Sequence, residues 1–256
     1  MADMQMPPPD THPASILLPA STASTARIGG LVLAAGAGSR FGMPKALVHD
    51  AAGRSWLQNA VDVLVAAGCS PVIVVLGARG ADAAALLNAG DDESASTNGA
   101  PTPCTSNHSA AARSAPASGA AAHSPRQRGQ ARPTASVVVV QAADWAEGLS
   151  ASLRAGLRCA LDQPGLAAVA VIPVDVPDLN VATVARLIGV SDAGTLRQAR
   201  FAGQPGHPVV LGRAHWAPLL ETLAGDTGAR PYLRAHDVET VECGDLATGA
   251  DVDRPE

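Results

Sequence analysis

Aromatic residues are scarce in this chain of 256 residues, making up 2% of the sequence. Proteins that bind single-stranded nucleic acid stack bases on aromatic side chains, so this scarcity argues against that class. A basic excess is also missing, because the formal net charge is −5 at pH 7. Broad nucleic-acid-binding surfaces normally carry positive charge. We therefore expect no nucleic-acid partner.

Closely spaced cysteines are missing as well. The four cysteines, Cys69, Cys104, Cys159 and Cys243, form no CxxC pair. This pattern argues against a zinc site or a disulfide framework and indicates isolated thiols in a reducing compartment. The N-terminal residues include no basic segment, and the apolar stretch 16–18 is too short for a signal peptide or a membrane span. We therefore expect a cytoplasmic protein with no membrane partner.

Two stretches have compositions that do not favour a folded core. Residues 1–26 are mainly Pro, Ala, Ser and Thr without periodicity, which predicts a disordered N-terminal tail. Residues 89–134 are low in Val, Ile, Leu and aromatics, so ordering them would cost backbone entropy with little burial in return. We predict a single domain at 27–256, interrupted by a disordered, low-complexity insertion at 89–134.

The rest of the sequence alternates between apolar runs and amphipathic segments. Continuous runs rich in β-branched residues predict buried strands at 28–35, 71–77, 136–142 and 166–174. Helical patterns lie between them, and the first has a plausible cap at Ser55 and an end at Gly68. The expected fold class is α/β, with a single doubly wound, mostly parallel sheet flanked by helices.

The first predicted strand runs into a loop of small residues. Ligands of such sheets bind beyond the carboxyl ends of the strands. Here the stretch "LAAGAGSRFGMPK" lets backbone N–H groups approach a phosphate or a base closely, and Arg40 and Lys45 add positive charge. The stretch fits neither the dinucleotide pattern GxGxxG nor the P-loop pattern GxxxxGK[ST]. Taken alone, it is equally compatible with a structural turn and a phosphate site.

A carboxylate follows a second predicted strand. The string "VAVIPVDVPDL" runs from apolar residues into Asp175. Mg²⁺ in proteins typically takes one or two carboxylates together with substrate phosphates and water, so Asp175 opposite a basic loop is a candidate metal ligand. The alternative is a turn or capping residue before the next helix, a role that Asp178 or Asn180 suits better.

The ordered combination of several strings resembles a known family. "LVLAAGAGSRFGMPKAL" is similar to the signature loop of GT-A-like nucleotidyltransferases, and "VIPVDVP" to their metal-binding strand end. Four further strings resemble the molybdenum cofactor cytidylyltransferases: "WAEGLSASLRAGL", "GQPGHPVVL", "GDTGAR" and "DVDRPE". The resemblance implies Mg²⁺- or Mn²⁺-dependent transfer of CMP from CTP to the terminal phosphate of Mo-molybdopterin, giving molybdopterin cytosine dinucleotide and pyrophosphate. It also implies delivery of the product to a molybdenum hydroxylase of the xanthine dehydrogenase type.

Two other functions stay open. The chain could be a nucleotidyltransferase for another phosphorylated acceptor, or a non-catalytic carrier of the molybdenum cofactor. Substitution of Lys45 and Asp175 separates the carrier from an enzyme, because a carrier has no metal-dependent turnover to lose.

The resemblance also assigns site residues. It implies that Arg40 and Lys45 neutralise the triphosphate, that Asp175 holds the metal, and that Asp251 is a second metal ligand, with Asp253 as the fallback. The residues expected to contact nucleotide or acceptor are Leu33, Ala34, Ala35, Gly36, Gly38, Arg40, Lys45, His207 and Arg230.

The assignment of His207 has an alternative, and the assignment of Ala35 has a consequence for the choice of nucleotide. His207 is a candidate for the acceptor's phosphate or dithiolene region, although a histidine hydrogen-bonded in a turn explains the Gly-His-Pro string nearly as well. Ala35 stands where guanylyl-transferring relatives usually have a second glycine. Its methyl group would restrict the approach of a large purine, which favours CTP.

Overall fold

The computed structural model describes residues 26–89, 102–103 and 136–254. The predicted N-terminal tail at 1–26 and the predicted insertion at 89–134 lie outside the described residues, apart from residues 26, 89 and 102–103.

Eight strands occur in the described part of the chain: β1 (Arg27–Ala34), β2 (Val72–Leu76), β3 (Thr102–Pro103), β4 (Val137–Gln141), β5 (Leu166–Pro173), β6 (Leu196–Phe201), β7 (Gln204–Gly212) and β8 (Glu239–Glu242). The same residues contain six α-helices: α1 (Trp56–Ala66), α2 (Gly80–Ala89), α3 (Leu149–Leu161), α4 (Val181–Ile188), α5 (Arg213–Thr222) and α6 (Arg230–Ala235). Within these described ranges, no helix is long and apolar enough to cross a membrane.

All eight strands form one sheet in the order β3-β4-β2-β1-β5-β7-β6-β8. Only β7 runs antiparallel to its two neighbours, and every other pair of adjacent strands is parallel. The predicted α/β class and mostly parallel sheet are therefore confirmed. Because β1 lies between β2 and β5, the loops that follow β1 and β5 come from adjacent strands.

The core lies on both faces of the sheet. In β1, Val32 and Ala34 pack into one apolar cluster, while Leu31 and Leu33 pack into another on the opposite face. This division follows from the alternation of side chains along a strand. Ser55 caps α1 as predicted, and its Oγ accepts a hydrogen bond from the Gln58 N–H at 3.4 Å. The sheet thus holds the carboxyl ends of its central strands in fixed positions.

Candidate active site

A cleft opens where β1 and β5 end side by side. Leu33 pairs with Pro173, and the Val174 N–H donates to the Leu33 carbonyl at 3.1 Å. The cleft is lined by residues 33–41, 145–149 and 173–175, with Lys45, Ser152, Asp226 and Asp253. The structure therefore brings the predicted small-residue loop, Arg40, Lys45 and Asp175 together around one cavity.

The loop after β1 turns sharply at Gly38. This residue has φ +63°, and a Cβ atom there would collide with the Met43 carbonyl, so the turn requires glycine. The Gly38 carbonyl accepts hydrogen bonds from the N–H groups of Phe41 and Gly42 at 2.9 and 2.8 Å. Phe41 then packs edge-on against Trp56, which ties the loop to the core. The turn leaves the Arg40 side chain 82% exposed at the rim of the cleft.

Lys45 lies deeper in the cleft than Arg40. Its ammonium nitrogen lies 2.8 Å from Oδ2 of Asp175 and 3.0 Å from Oδ1 of Asp253, and its side chain is only 14% exposed. Burial alone would lower the pKa of Lys45, but hydrogen bonds and negative charge from the two carboxylates outweigh it and raise this pKa above its ordinary value. The hydrogen bond from Lys45 in turn lowers the pKa of Asp253. The amine and Asp253 therefore both carry their charges at neutral pH.

The two acidic candidates near the C-terminus lie in different surroundings. Asp253 lines the cleft beside Asp175, whereas Asp251 is not among the described residues that line it. The Val252 N–H donates to the Asp175 carbonyl at 2.9 Å, which brings the end of the described chain against the β5 loop. The resemblance implies Asp251 as the second metal ligand with Asp253 as the fallback, and this assignment stays a prediction. In the structure it is Asp253 that shares the Lys45 ammonium with Asp175.

His207 lies within reach of the charges of Asp175, Asp251 and Arg230. His207 belongs to β7 and is half-buried, and its burial lowers the pKa to about 4. The charges of Asp175 and Asp251 act to raise that pKa, while Arg230 acts to lower it. All three charged groups therefore lie close enough to His207 to influence it. Arg230 is the first residue of α6 and is exposed.

Sequence reasoning did not anticipate how the "GDTGAR" string joins α3. Asp226 accepts a hydrogen bond from the Leu149 N–H at 2.9 Å, at the start of α3. The buried Ser150 hydroxyl donates to the Ala224 carbonyl at 3.0 Å and accepts from the Gly228 N–H at 3.2 Å. These partners are more than 70 residues apart in sequence, so no local pattern could reveal them.

The donor chemistry of the site suits a divalent cation. Among the residues with described positions, no group of three or more His, Cys, Asp and Glu side chains could hold a metal ion. However, Asp175 and Asp253 already hold one cation between them, the Lys45 ammonium. Two carboxylates are sufficient for Mg²⁺ when substrate phosphates and water supply the other ligands.

The site lies at the edge of an α/β sheet and combines a small-residue loop, a lysine and two carboxylates. These features are suited to binding a polyphosphate together with a cation. Residues 30–241 match the MobA-like NTP transferase domain, and the chain belongs to this family. The predicted nucleotidyltransferase relationship is therefore confirmed.

Individual proteins are similar to this chain over most of its length. Nicotine blue oxidoreductase from Paenarthrobacter nicotinovorans is 29% identical over 237 residues, covering 89% of this chain and 92% of that protein. The crystal structure of Rv0371c from Mycobacterium tuberculosis H37Rv is 25% identical with a TM-score of 0.57, covering 89% of this chain and 94% of that one. A second structure of Rv0371c, in complex with manganese, is 24% identical with a TM-score of 0.55, covering 88% and 94%. A nucleotidyl transferase from Methanothermobacter thermautotroptrophicus is 20% identical with a TM-score of 0.59, covering 89% and 92%.

Proposed function

We propose that this chain transfers CMP from CTP to the terminal phosphate of Mo-molybdopterin. An oxygen of the acceptor phosphate bonds to the α-phosphorus of CTP. The bond from the α-phosphorus to the bridging oxygen breaks, and pyrophosphate leaves. The observation that carries this proposal is the position of Lys45, which lies beside the small-residue loop and contacts two carboxylates.

The side chains of the cleft match the demands of this reaction. An ionised phosphate is already a nucleophile, so catalysis rests on positioning and on neutralising charge rather than on a general base. Lys45 and Arg40 neutralise the triphosphate and the departing pyrophosphate, and the backbone N–H groups of Gly36 and Gly38 approach its oxygens. Asp175 and Asp253 would hold Mg²⁺ or Mn²⁺, which would supply further positive charge at the phosphates. The manganese complex of Rv0371c supports a divalent metal.

The nucleotide and the acceptor are assigned to different residues. Ala35 is buried at the base of the loop and lines the cleft, and we assign its methyl group the restriction of a purine base. His207 and Arg230 are not among the described residues that line this cleft, and we assign them to the anionic acceptor. The uncharged state of His207, favoured by its low pKa, leaves Arg230 as the positive charge of that pair. We further propose that the cytoplasmic product is handed to a molybdenum hydroxylase of the xanthine dehydrogenase type.

A substrate panel tests this function. The protein is incubated with Mg²⁺ and Mo-molybdopterin together with CTP, GTP, ATP or UTP, and pyrophosphate and dinucleotide products are quantified. We expect turnover with CTP and formation of the cytosine dinucleotide. In a parallel series, a sugar phosphate or a phosphorylated alcohol replaces Mo-molybdopterin, and turnover confined to these acceptors would favour a different nucleotidyltransferase. Cofactor binding without turnover of any nucleotide would favour the carrier.

The name of one relative supports a second candidate function. Nicotine blue oxidoreductase matches 89% of this chain, so a redox activity on a related coloured compound is a specific alternative. Incubation with nicotine blue and NADH or NADPH, followed by its visible absorbance, tests this candidate. A colour change that survives the Lys45→Ala substitution, with no pyrophosphate formed from any nucleotide, would favour it over nucleotide transfer.

A further inference from the structure

Asp178 lies three residues after Asp175, and the sequence offered it only as a helix cap. The structure gives the capping role to Asn180, whose side chain accepts a hydrogen bond from the Thr183 N–H at 3.0 Å. Asp178 instead accepts three hydrogen bonds, two from Thr248 and one from Gly249. Its Oδ2 lies 2.7 Å from the Thr248 nitrogen, 2.5 Å from the Thr248 hydroxyl and 3.3 Å from the Gly249 nitrogen.

These bonds continue along the chain toward the cleft. The Thr248 hydroxyl donates to Asp178 and accepts from the Ala250 N–H at 3.2 Å, so one carboxylate organises the backbone from 248 to 250. Gly249 has φ +65°, and the Phe201 ring occupies the space that a side chain at this position would need. The backbone conformation of segment 248–250 is therefore fixed by these hydrogen bonds and by the contact with Phe201.

Asp253 lies only four residues after Gly249, which is part of the segment that Asp178 holds. A second anchor, the bond from the Val252 N–H to the Asp175 carbonyl, lies immediately before it. The Val252 side chain is partly buried against the core. Without the Asp178 bonds, Asp253 would be held by Val252 and by its own ion pairs with Lys45 and Arg40, among the described contacts. Its carboxylate would then occupy a wider range of positions.

We propose that Asp178 is a positioning residue that holds segment 248–253 so that Asp253 stays beside Asp175 at the cation position. This inference rests on the proposed function, in which both aspartates ligate the metal. Substitution of residues that only hold a metal-binding side chain in place typically costs 10–100-fold in metal affinity or activity. Asp178 acts in this way through hydrogen bonds to the backbone.

Binding of Mn²⁺ in the presence of CTP, without acceptor, tests the inference by electron paramagnetic resonance. We expect Asp178→Ala to weaken Mn²⁺ binding about tenfold or more. Asp178→Asn, which keeps an oxygen that accepts the same hydrogen bonds, should restore most of the affinity. Asp245→Ala is the matched control, because Asp245 is also exposed and pairs with Arg186 in the same region, three residues before Thr248. This control should bind Mn²⁺ like the wild type.

A double substitution separates positioning from general destabilisation. If Asp178 acts through Asp253, the effect of Asp178→Ala should largely disappear in an Asp253→Asn background. An equal loss in both backgrounds, or wild-type affinity in Asp178→Ala, would overturn the inference. Failure of the wild type itself to bind Mn²⁺ with CTP would instead overturn the proposed function on which the inference rests.

Discussion

The ammonium nitrogen of Lys45 lies 2.8 Å from Oδ2 of Asp175 and also reaches Asp253, at 3.0 Å. The two carboxylates are 130 and 208 residues from the lysine along the chain, so only the folded sheet brings the three groups together. An amine that is held by two carboxylates is charged and oriented before any substrate arrives. In the proposed reaction Lys45 would neutralise charge on the triphosphate, and the two carboxylates would hold the metal.

Removal of the Lys45 amine should damage turnover more than metal binding. We expect Lys45→Ala to lower kcat by about 10²–10³-fold, as loss of a group that stabilises developing negative charge does. Its Mn²⁺ affinity should not fall, because the substitution removes a cation that contacts both carboxylates. Steady-state kinetics and Mn²⁺ titration measure the two effects. Arg54→Ala is a control, because Arg54 is exposed and pairs only with Asp50 among the described ion pairs. An unchanged kcat in Lys45→Ala would contradict the assignment of Lys45 to the triphosphate.

Asp253 and Asp251 should differ as metal ligands. Asp253→Asn should weaken Mn²⁺ binding strongly, because Asp253 shares the cation position with Asp175. Asp251→Asn should weaken it less, since Asp251 is not among the described residues that line the cleft. Titration of both variants with Mn²⁺ in the presence of CTP compares them directly. The reverse order would restore Asp251, the residue that the sequence favoured.

The base preference should depend on Ala35. Ala35→Gly removes the methyl group at the base of the loop and should raise the kcat/KM for GTP relative to CTP. The change should be about 10-fold or more, since one methyl group in an apolar pocket is worth roughly 1–3 kcal/mol. Competition between the two nucleotides in a single reaction measures the ratio. An unchanged ratio would show that the base is selected elsewhere.

His207 should make the stability of the protein depend on pH. Its pKa is about 4 in the folded protein because of burial, against an ordinary value of 6.5. Between these pH values the unfolded chain binds a proton that the folded chain does not, so the free energy of unfolding should fall as pH drops from about 6.5 to 4. Urea unfolding of wild type and His207→Gln across this range checks the sign. The variant should lose this part of the pH dependence, and identical curves would contradict it.

Much of the fold could be predicted because its information is local. The β-branched runs become strands, of which β2 and β5 are buried on both faces. Ser55 caps α1. Each of these features depends on neighbouring residues. The loop after β1 and Asp175 could be placed together because the carboxyl ends of parallel strands share one edge of a sheet.

The contacts that decide the details are not local. Asp251 and Asp253 are two residues apart in an irregular segment, and a bond from Val252 to Asp175 holds that segment against the cleft that Asp253 lines. Likewise Asp226 meets α3 across 77 residues. No periodicity in the sequence encodes such pairings, so the sequence alone could not assign these two partners.

The most direct test follows the α-phosphate. CTP labelled at its α-phosphorus is incubated with Mg²⁺ and Mo-molybdopterin, and the label is traced in wild type, Lys45→Ala and Asp175→Ala. Our account predicts that wild type moves the label into the cofactor with one pyrophosphate released for each transfer, and that both variants lose the transfer. Label that stays in CTP or free CMP, while the cofactor still binds, would contradict nucleotide transfer as the function of this site.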